Sequence, residues 1–126
     1  MRSSTRKLNP KLKKRIAADF IGALTDLKTP EETKQFLESF FTEAEFISYA
    51  KRLSVAMMLE KNVSCAEIKK KILVSSATIA AIQEAMQKKP KGFALALEKL
   101  EAEAWAGSIA KKISSFLKER TVLKPQ

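Results

Sequence analysis

The stretch Ser64 to Met86, SCAEIKKKILVSSATIAAIQEAM, decides the fold of this chain. Ile68, Ile72, Val74, Ile79 and Ile82 are spaced so that two short helices, joined by a turn of three or four residues, bury one small core at a steep angle. Ser64-Cys65-Ala66-Glu67 reads as a capping box opening a helix of about eight residues that ends at Leu73-Val74-Ser75. Ser75 or Ser76 then caps a further helix to about Lys88. The pattern is that of a helix-turn-helix at 64–88. Its second helix opens on small and hydroxyl side chains, Ser76, Ala77 and Thr78, followed by Ala80 and Ala81, which allow close approach to base edges and phosphate oxygens. Its first amides favour an anion. Lys69, Lys70 and Lys71 on one side and Lys88, Lys89 and Lys91 on the other supply positive charge. Gln83 is the side chain on that helix suited to bidentate base recognition. The candidate DNA contacts are therefore Lys69, Lys70, Ser75, Ser76, Ala77, Thr78, Ala80, Ala81, Gln83, Lys88 and Lys89. The competing reading is an ordinary helical hairpin with solvated lysines. Leu73 stands where a glycine often supplies a positive φ, which predicts a turn of different shape.

Upstream of this unit the same helix grammar recurs. Leu12, Ile16, Phe20, Leu24 and Leu27, at spacings of three and four, give an apolar stripe on a first helix that begins near Pro10. Thr29-Pro30-Glu31-Glu32 opens a short second helix, expected to bury Phe36, Leu37, Phe40 and Phe41. Thr42-Glu43-Ala44-Glu45 stops it and opens a third helix to about Lys61. Phe46, Ile47, Ala50, Leu53, Met57 and Met58, widened by Tyr49, Ala56 and Leu59, make that helix apolar on most sides, as expected of a central helix. Downstream of Pro90-Lys91-Gly92, a sixth helical stretch carries Phe93, Leu97, Leu100 and Ala104, then Ile109, Ile113 and Phe116 past a weak point at Gly107. The tail from Thr121 is expected to fray. The fold class is all-α with about six helices in one domain: a basic arm at 1–15, a helical domain at 16–90, and a C-terminal helix and tail at 91–126 that serves packing or dimerisation.

With 126 residues, one Cys, no His and a net charge of +10, the chain has no intrachain disulfide, no Cys/His zinc site and no imidazole-dependent catalytic dyad. At 45% apolar and 30% charged residues, it has the composition of a folded protein. No apolar run approaches the roughly 18 residues of a membrane span, and the basic start lacks a signal-peptide core, so the expected address is the cytoplasm. Met1 to Lys28 carries about +6 and Ser64 to Lys91 about +4. Arg2, Arg6, Lys7, Lys11, Lys13, Lys14 and Arg15 precede any acid, and read either as an arm or helix start that attracts a polyanion or as a solubility tail. Glu31, Glu32, Glu43, Glu45 and Glu67 read as helix-start acids, Cys65 as a small residue at a helix start, and Tyr49 and Trp105 as packing or interface aromatics. With no nucleophile–base pair, metal cluster or Gly-rich phosphate loop, no enzyme and no metal are expected.

Phe41-Thr42-Glu43-Ala44-Glu45, Ala50-Lys51-Arg52-Leu53-Ser54-Val55-Ala56, Ser64 to Ile68 and Ser76-Ala77-Thr78-Ile79 together resemble the Trp repressor superfamily over roughly Ala23 to Pro90. Thr29 to Glu32 and Lys51 to Ala56 look most like its YerC/YecD-type, Trp repressor-like members. The resemblance implies an intertwined all-helical homodimer in which the first three helices and the last form the core and the helix-turn-helix projects from it. It also implies that Lys69 contacts phosphate and that Ser76, Ala77 and Ala80 face bases. Phe40, Thr42 and Arg52 are a possible effector pocket, Thr42 and Arg52 by match to the family's amino-acid pocket. Arg52 has a second reading as a member of a structural ion pair. Ala81-Ile82 replace the family's Arg-Gly pair, which removes the partner of the ligand carboxylate and fills space an indole needs. Tryptophan is therefore not expected as corepressor, and no cofactor is expected; the effector is unknown or absent.

The favoured reading is a sequence-specific DNA-binding transcriptional regulator, a repressor, acting as a homodimer on double-stranded DNA without a membrane partner. By the docking scheme that the resemblance brings, two reading helices enter major grooves about 34–36 Å apart. Lysines on phosphates supply affinity, and water, DNA shape and the N-terminal arm assist specificity. The alternative is a helical protein- or RNA-interaction module with nonspecific nucleic-acid affinity.

Overall fold

The computed structural model describes the backbone of residues 6–123, and the side chains of that span apart from Trp105 and 119–123. Arg2 of the basic arm, the side chain of Trp105 and the last three residues lie outside the described residues. Six helices follow in order: α1 (Pro10–Thr25), α2 (Pro30–Phe40), α3 (Glu43–Glu60), α4 (Cys65–Ile72), α5 (Ser76–Lys88) and α6 (Pro90–Leu123). No strand occurs among the described residues. Where one domain is expected from the sequence, the chain divides into two compact units, Met1–Ser48 and Tyr49–Gln126, with the boundary inside α3.

Local capping sets the helix starts of the first unit. Asn9 accepts from the Lys11 amide at 2.9 Å, and Pro10 fills the first helical position, where its missing N–H costs nothing. Lys11, Lys13, Lys14 and Arg15 consequently lie on the exposed first turns of α1 and not in an extended arm. Thr29 accepts from the Glu32 amide at 3.1 Å, while the Glu32 carboxylate takes the Lys28 amide at 3.3 Å, one residue earlier than the usual box. At α3 the box is complete: the Thr42 amide donates to Glu45 Oε1 at 2.9 Å and the Glu45 amide donates to Thr42 Oγ1 at 3.1 Å.

The apolar faces of this unit are only part covered. Neither α1 nor α2 has a buried residue. Phe36, Leu37 and Phe41 are half-buried and Phe40 is exposed, contrary to the burial expected for all four. What holds them is an aromatic cluster: Phe40 stacks on Phe20 and Phe36, with centroids 5.4 and 5.3 Å apart, and meets Phe41 edge-on at 5.2 Å. The stripe Leu12, Ile16, Phe20 and Leu24 stays exposed along α1.

The second unit has the closed core. Val55 and Ala56 of α3, Ile68 of α4, and Ile79 and Ile82 of α5 are buried together, with Met58, Leu59, Val63, Ile72, Val74, Met86 and Phe93 packed against them. Leu97 of α6 is also buried. The broad face expected on α3 is thus buried only at Ala56, toward its C-terminal end, with Phe46, Met57, Met58 and Leu59 half-buried and Ile47, Tyr49, Ala50 and Leu53 exposed. Val55, outside the face read from the spacing, is fully buried. α3 ends in a Schellman motif: Asn62 takes the left-handed conformation (φ 60°), the Val63 amide donates to the Met58 carbonyl and the Asn62 amide to that of Leu59, both at 3.0 Å. α6 continues through Gly107 and on to Leu123, beyond the expected weak point and into the expected frayed tail. One glycine costs a helix about 1 kcal/mol, too little to interrupt propagation through good helix formers on both sides.

Candidate nucleic-acid interface

Two caps and one left-handed residue shape the helix-turn-helix. The Glu67 amide donates to Ser64 Oγ at 3.2 Å, so Ser64 starts α4 as expected. Glu67 turns its carboxylate to Lys71 Nζ at 3.4 Å and does not close the box. α4 ends with Leu73 at φ 59°, ψ 54°, its amide donating to the Lys69 carbonyl at 3.0 Å. The turn therefore has the shape a glycine would give it, with leucine bearing the steric cost of the left-handed region. Leu73 is 76% exposed, so no core contact compensates that cost. Lys51 of α3 donates from Nζ to the Leu73 carbonyl at 3.5 Å, tying the turn to the supporting helix. Ser75 then accepts from the Thr78 amide at 3.1 Å and opens α5.

The five apolar residues that predicted the motif close its core: Ile68, Ile79 and Ile82 are buried, Ile72 and Val74 half-buried. Every candidate contact residue is exposed except Thr78, which is half-buried. The Thr78 hydroxyl lies 2.9 Å from Ser75 Oγ, so both hydroxyls are committed to the cap. Ser76, Ala77, Ala80 and Ala81 form an exposed small-residue face on the first turns of α5, opposite Ile79 and Ile82. Gln83 lies at the flank of that face and lines an open groove with Leu59, Glu60, Met86, Gln87 and Phe93. Gln87, a second amide on α5, shares that groove, and the small residues that open α5 carry no signal pointing to it.

Electrostatics separate the lysines. Lys71 is paired with Glu67, and Lys88 with Glu84 at 2.7 Å. Among the described residues Lys69, Lys70 and Lys89 have no carboxylate within 4.0 Å. Of the lysines among the candidate DNA contacts, Lys69, which the family resemblance sets on a phosphate, Lys70 and Lys89 are thus unpaired among the described residues, and Lys88 is paired. Glu84 lies on the exposed side of α5, and its i,i+4 pairing with Lys88 offsets one positive charge at that end. Lys51 is the basic residue that spacing could not have found, since it reaches the turn from 22 positions away.

The candidate effector residues are spread over both units. Phe40 and Thr42 flank the α2–α3 junction of the first unit, the ring engaged in the aromatic cluster and the hydroxyl in the α3 cap. The hydrogen bond from the Thr42 backbone amide, followed by that with its hydroxyl, holds the Glu45 carboxyl below the usual glutamate range. Arg52 is exposed on α3 in the second unit, and no carboxylate lies within 4.0 Å of it among the described residues, which hold no partner for its reading as a structural ion pair. Ile82 is fully buried in the core. No group of three or more His, Cys, Asp or Glu able to hold a metal occurs among the described residues, and no helix among them is long and apolar enough to cross a membrane.

Comparison with known proteins agrees with this architecture. The family described as Trp repressor protein matches residues 17–101, from α1 into α6. No curated protein and no solved structure matches the chain. A match over that span takes in all of α2 to α5 and the helix-turn-helix with them, and the chain belongs to the Trp repressor family of helix-turn-helix DNA-binding regulators.

Proposed function

We propose that this protein is a cytoplasmic, sequence-specific DNA-binding repressor that acts as a homodimer, with α5 as the reading helix. The observation that carries this reading is the α4–α5 hairpin: its apolar residues are sealed inward while Lys69, Lys70, Ser76, Ala77, Ala80 and Ala81 all stand outward on one short unit. Lys69, Lys70 and Lys89 anchor phosphates, which set register and affinity without reading sequence. The first turns of α5 approach base edges closely because nothing larger than serine or threonine stands there, so direct readout is weak and water and DNA shape carry much of the specificity.

A homodimer is supported by what one chain leaves uncovered. Leu12, Ile16, Phe20 and Leu24 on α1, Phe40 on α2 and Ile47 and Leu53 on α3 remain 37–57% exposed. Exposed apolar stripes of this kind, on α1 and on α3, suit burial against a second copy of the chain. No tryptophan corepressor belongs to this reading: Ile82, fully buried, occupies the core with its own side chain where the family has glycine, and Ala81 offers no cation. In this reading the hairpin is held by its own packing around Ile82.

Selection of bound duplexes from a random-sequence pool at two salt concentrations tests the proposal. Enrichment of a palindrome with half-sites one helical turn apart is expected. Salt-sensitive binding without enrichment would assign a nonspecific nucleic-acid protein in its place, and no binding at low salt would refute the reading.

A further inference from the structure

Among the described residues, positive φ occurs at Asn62 and Leu73, each just past the end of a helix. Asparagine is among the few residues that suit that conformation. Leucine is not: its Cβ is driven against the following carbonyl oxygen, a strain that glycine escapes. The Leu73 side chain returns nothing to the fold for that strain, because it is 76% exposed and keeps its apolar surface in water. A strained residue that the core does not use points to a contact outside the chain. Its place on α4 narrows what that contact is. The Leu73 amide donates to the Lys69 carbonyl at 3.0 Å, which keeps the residue in helical register. Leu73 therefore stands about 40° round the helix from Lys69 and about 60° from Lys70, in the sector between them. Both lysines are exposed and have no carboxylate within 4.0 Å among the described residues. Lys51 Nζ donates to the Leu73 carbonyl at 3.5 Å, so α3 holds the backbone of the turn while the leucine side chain stays in solvent.

We propose that the Leu73 side chain packs on deoxyribose carbons of the duplex backbone, between the phosphates that Lys69 and Lys70 bind. The inference rests on the DNA-binding reading and adds an apolar contact to it. Two unpaired lysines flanking the leucine favour a polyanion over a second protein surface. Between its phosphates a DNA strand presents sugar C–H groups, which accept an aliphatic side chain and carry no sequence information. The two kinds of contact divide the affinity. Lys69 and Lys70 contribute through counterion release, which salt suppresses, whereas Leu73 contributes through removal of apolar surface from water, which salt in this range leaves in place. Glycine at position 73 would ease the turn and forfeit the contact, so leucine there exchanges local strain for binding.

The test uses the full-length chain and its variants Leu73→Gly, Leu73→Asn and Leu73→Met. Binding to a labelled random-sequence duplex is followed by fluorescence anisotropy at about 50 and about 200 mM salt, and thermal melts verify folding. Glycine and asparagine both suit the left-handed turn, so both variants fold. Each binds about tenfold more weakly than the original at both salt concentrations, with the slope of log K against log salt unchanged. Leu73→Met keeps the strain and an apolar side chain of similar size, and binds within about twofold of the original. Unchanged affinity in Leu73→Gly and Leu73→Asn overturns the proposal. So does a loss shared equally by Leu73→Met, or one confined to Leu73→Gly, since either assigns the effect to the shape of the turn. Sedimentation equilibrium in which Leu73→Asn weakens self-association while duplex affinity holds gives the leucine to a protein contact, and overturns it too. The two readings fail separately: absence of duplex binding by the unmodified protein refutes DNA binding and this contact with it, whereas equal binding by the unmodified protein and Leu73→Asn refutes this contact alone.

Discussion

Replacing Lys69 and Lys70 together by glutamine should flatten the salt dependence of duplex binding by an amount that follows from the proposed dimeric contact. Both side chains are exposed on the last turn of α4, and neither has a carboxylate within 4.0 Å among the described residues. Each lysine that neutralises a phosphate adds about 0.9 to the slope of log K against log salt. In the proposed homodimer, two lysines in each protomer would make four phosphate contacts, so the slope is expected to fall by about 3.6 in the double variant. Between 50 and 200 mM salt the unmodified protein then loses affinity by about two orders of magnitude more than the variant does. Lys71→Gln is the internal control: its charge is shared with Glu67 at 3.4 Å, and its loss changes the slope by less than half as much per residue. Fluorescence anisotropy of a labelled random-sequence duplex titrated across that salt range gives both numbers. Equal slopes for the unmodified protein and the double variant would remove Lys69 and Lys70 from the phosphate contacts and α4 from the interface. A slope lost equally with Lys71 would show instead that only the net charge matters.

Leu73→Gly should leave stability within about 1 kcal/mol of the original, because relief of about 1–2 kcal/mol of left-handed strain is offset by glycine's backbone entropy. Leu73→Val should cost about 1 kcal/mol or more, since a β-branched residue is worse there; thermal melts in which valine matches glycine would contradict the turn geometry. Ile82→Ala should destabilise the second unit by about 2–5 kcal/mol through the cavity it leaves, measured by urea denaturation. A loss below 1 kcal/mol would mean the site is not packed as described. The lowered pKa of Glu45 means that its contribution is present above the ordinary glutamate range and is lost as pH falls through the lowered value. In a carbon-detected titration Glu45 should titrate below the ordinary glutamate range, and Thr42→Ala, which removes only the hydroxyl bond, should move it part of the way back; an ordinary Glu45 would disprove the capping geometry.

Helix starts were legible because they are local. Asn9-Pro10, Thr29-Pro30, Thr42, Ser64 and Ser75 each bind an amide within three residues, so spacing alone suffices to place them. The core of the hairpin was legible for a related reason: its five apolar residues lie within 15 positions and tolerate one arrangement. Burial on α3 was not legible, because an apolar circumference does not say which neighbours cover it, and here only the Val55–Ala56 end is sealed within the chain. Nor could spacing show that Leu73 adopts the left-handed conformation, since tertiary closure of the turn imposes it on a residue that disfavours it. The contact from Lys51 to the turn spans 22 positions and has no local signature. α6 runs unbroken through Gly107 because the penalty of one glycine is too small to stop it, a balance that no local motif displays.

The replacement at Ala81-Ile82 bears on how such a regulator is controlled. In a ligand-gated hairpin, part of the packing that holds the reading helix comes from the ligand, so an empty pocket leaves the helix free to move. Here Ile82 is fully buried beside Ile68, Ile79 and Val55, and a branched side chain of that size contributes about 1.5–3 kcal/mol of burial. An effector that needed this space would have to expel Ile82 and lose that term before gaining any contact. A shift in a two-state equilibrium cannot exceed the ligand's differential affinity for the two states, so control through this position is costly from the outset. What remains adjustable in the reading as a repressor is concentration: a homodimer that covers the stripes of α1 and α3 occupies DNA according to how many copies are present, and mass action takes the part a corepressor would play.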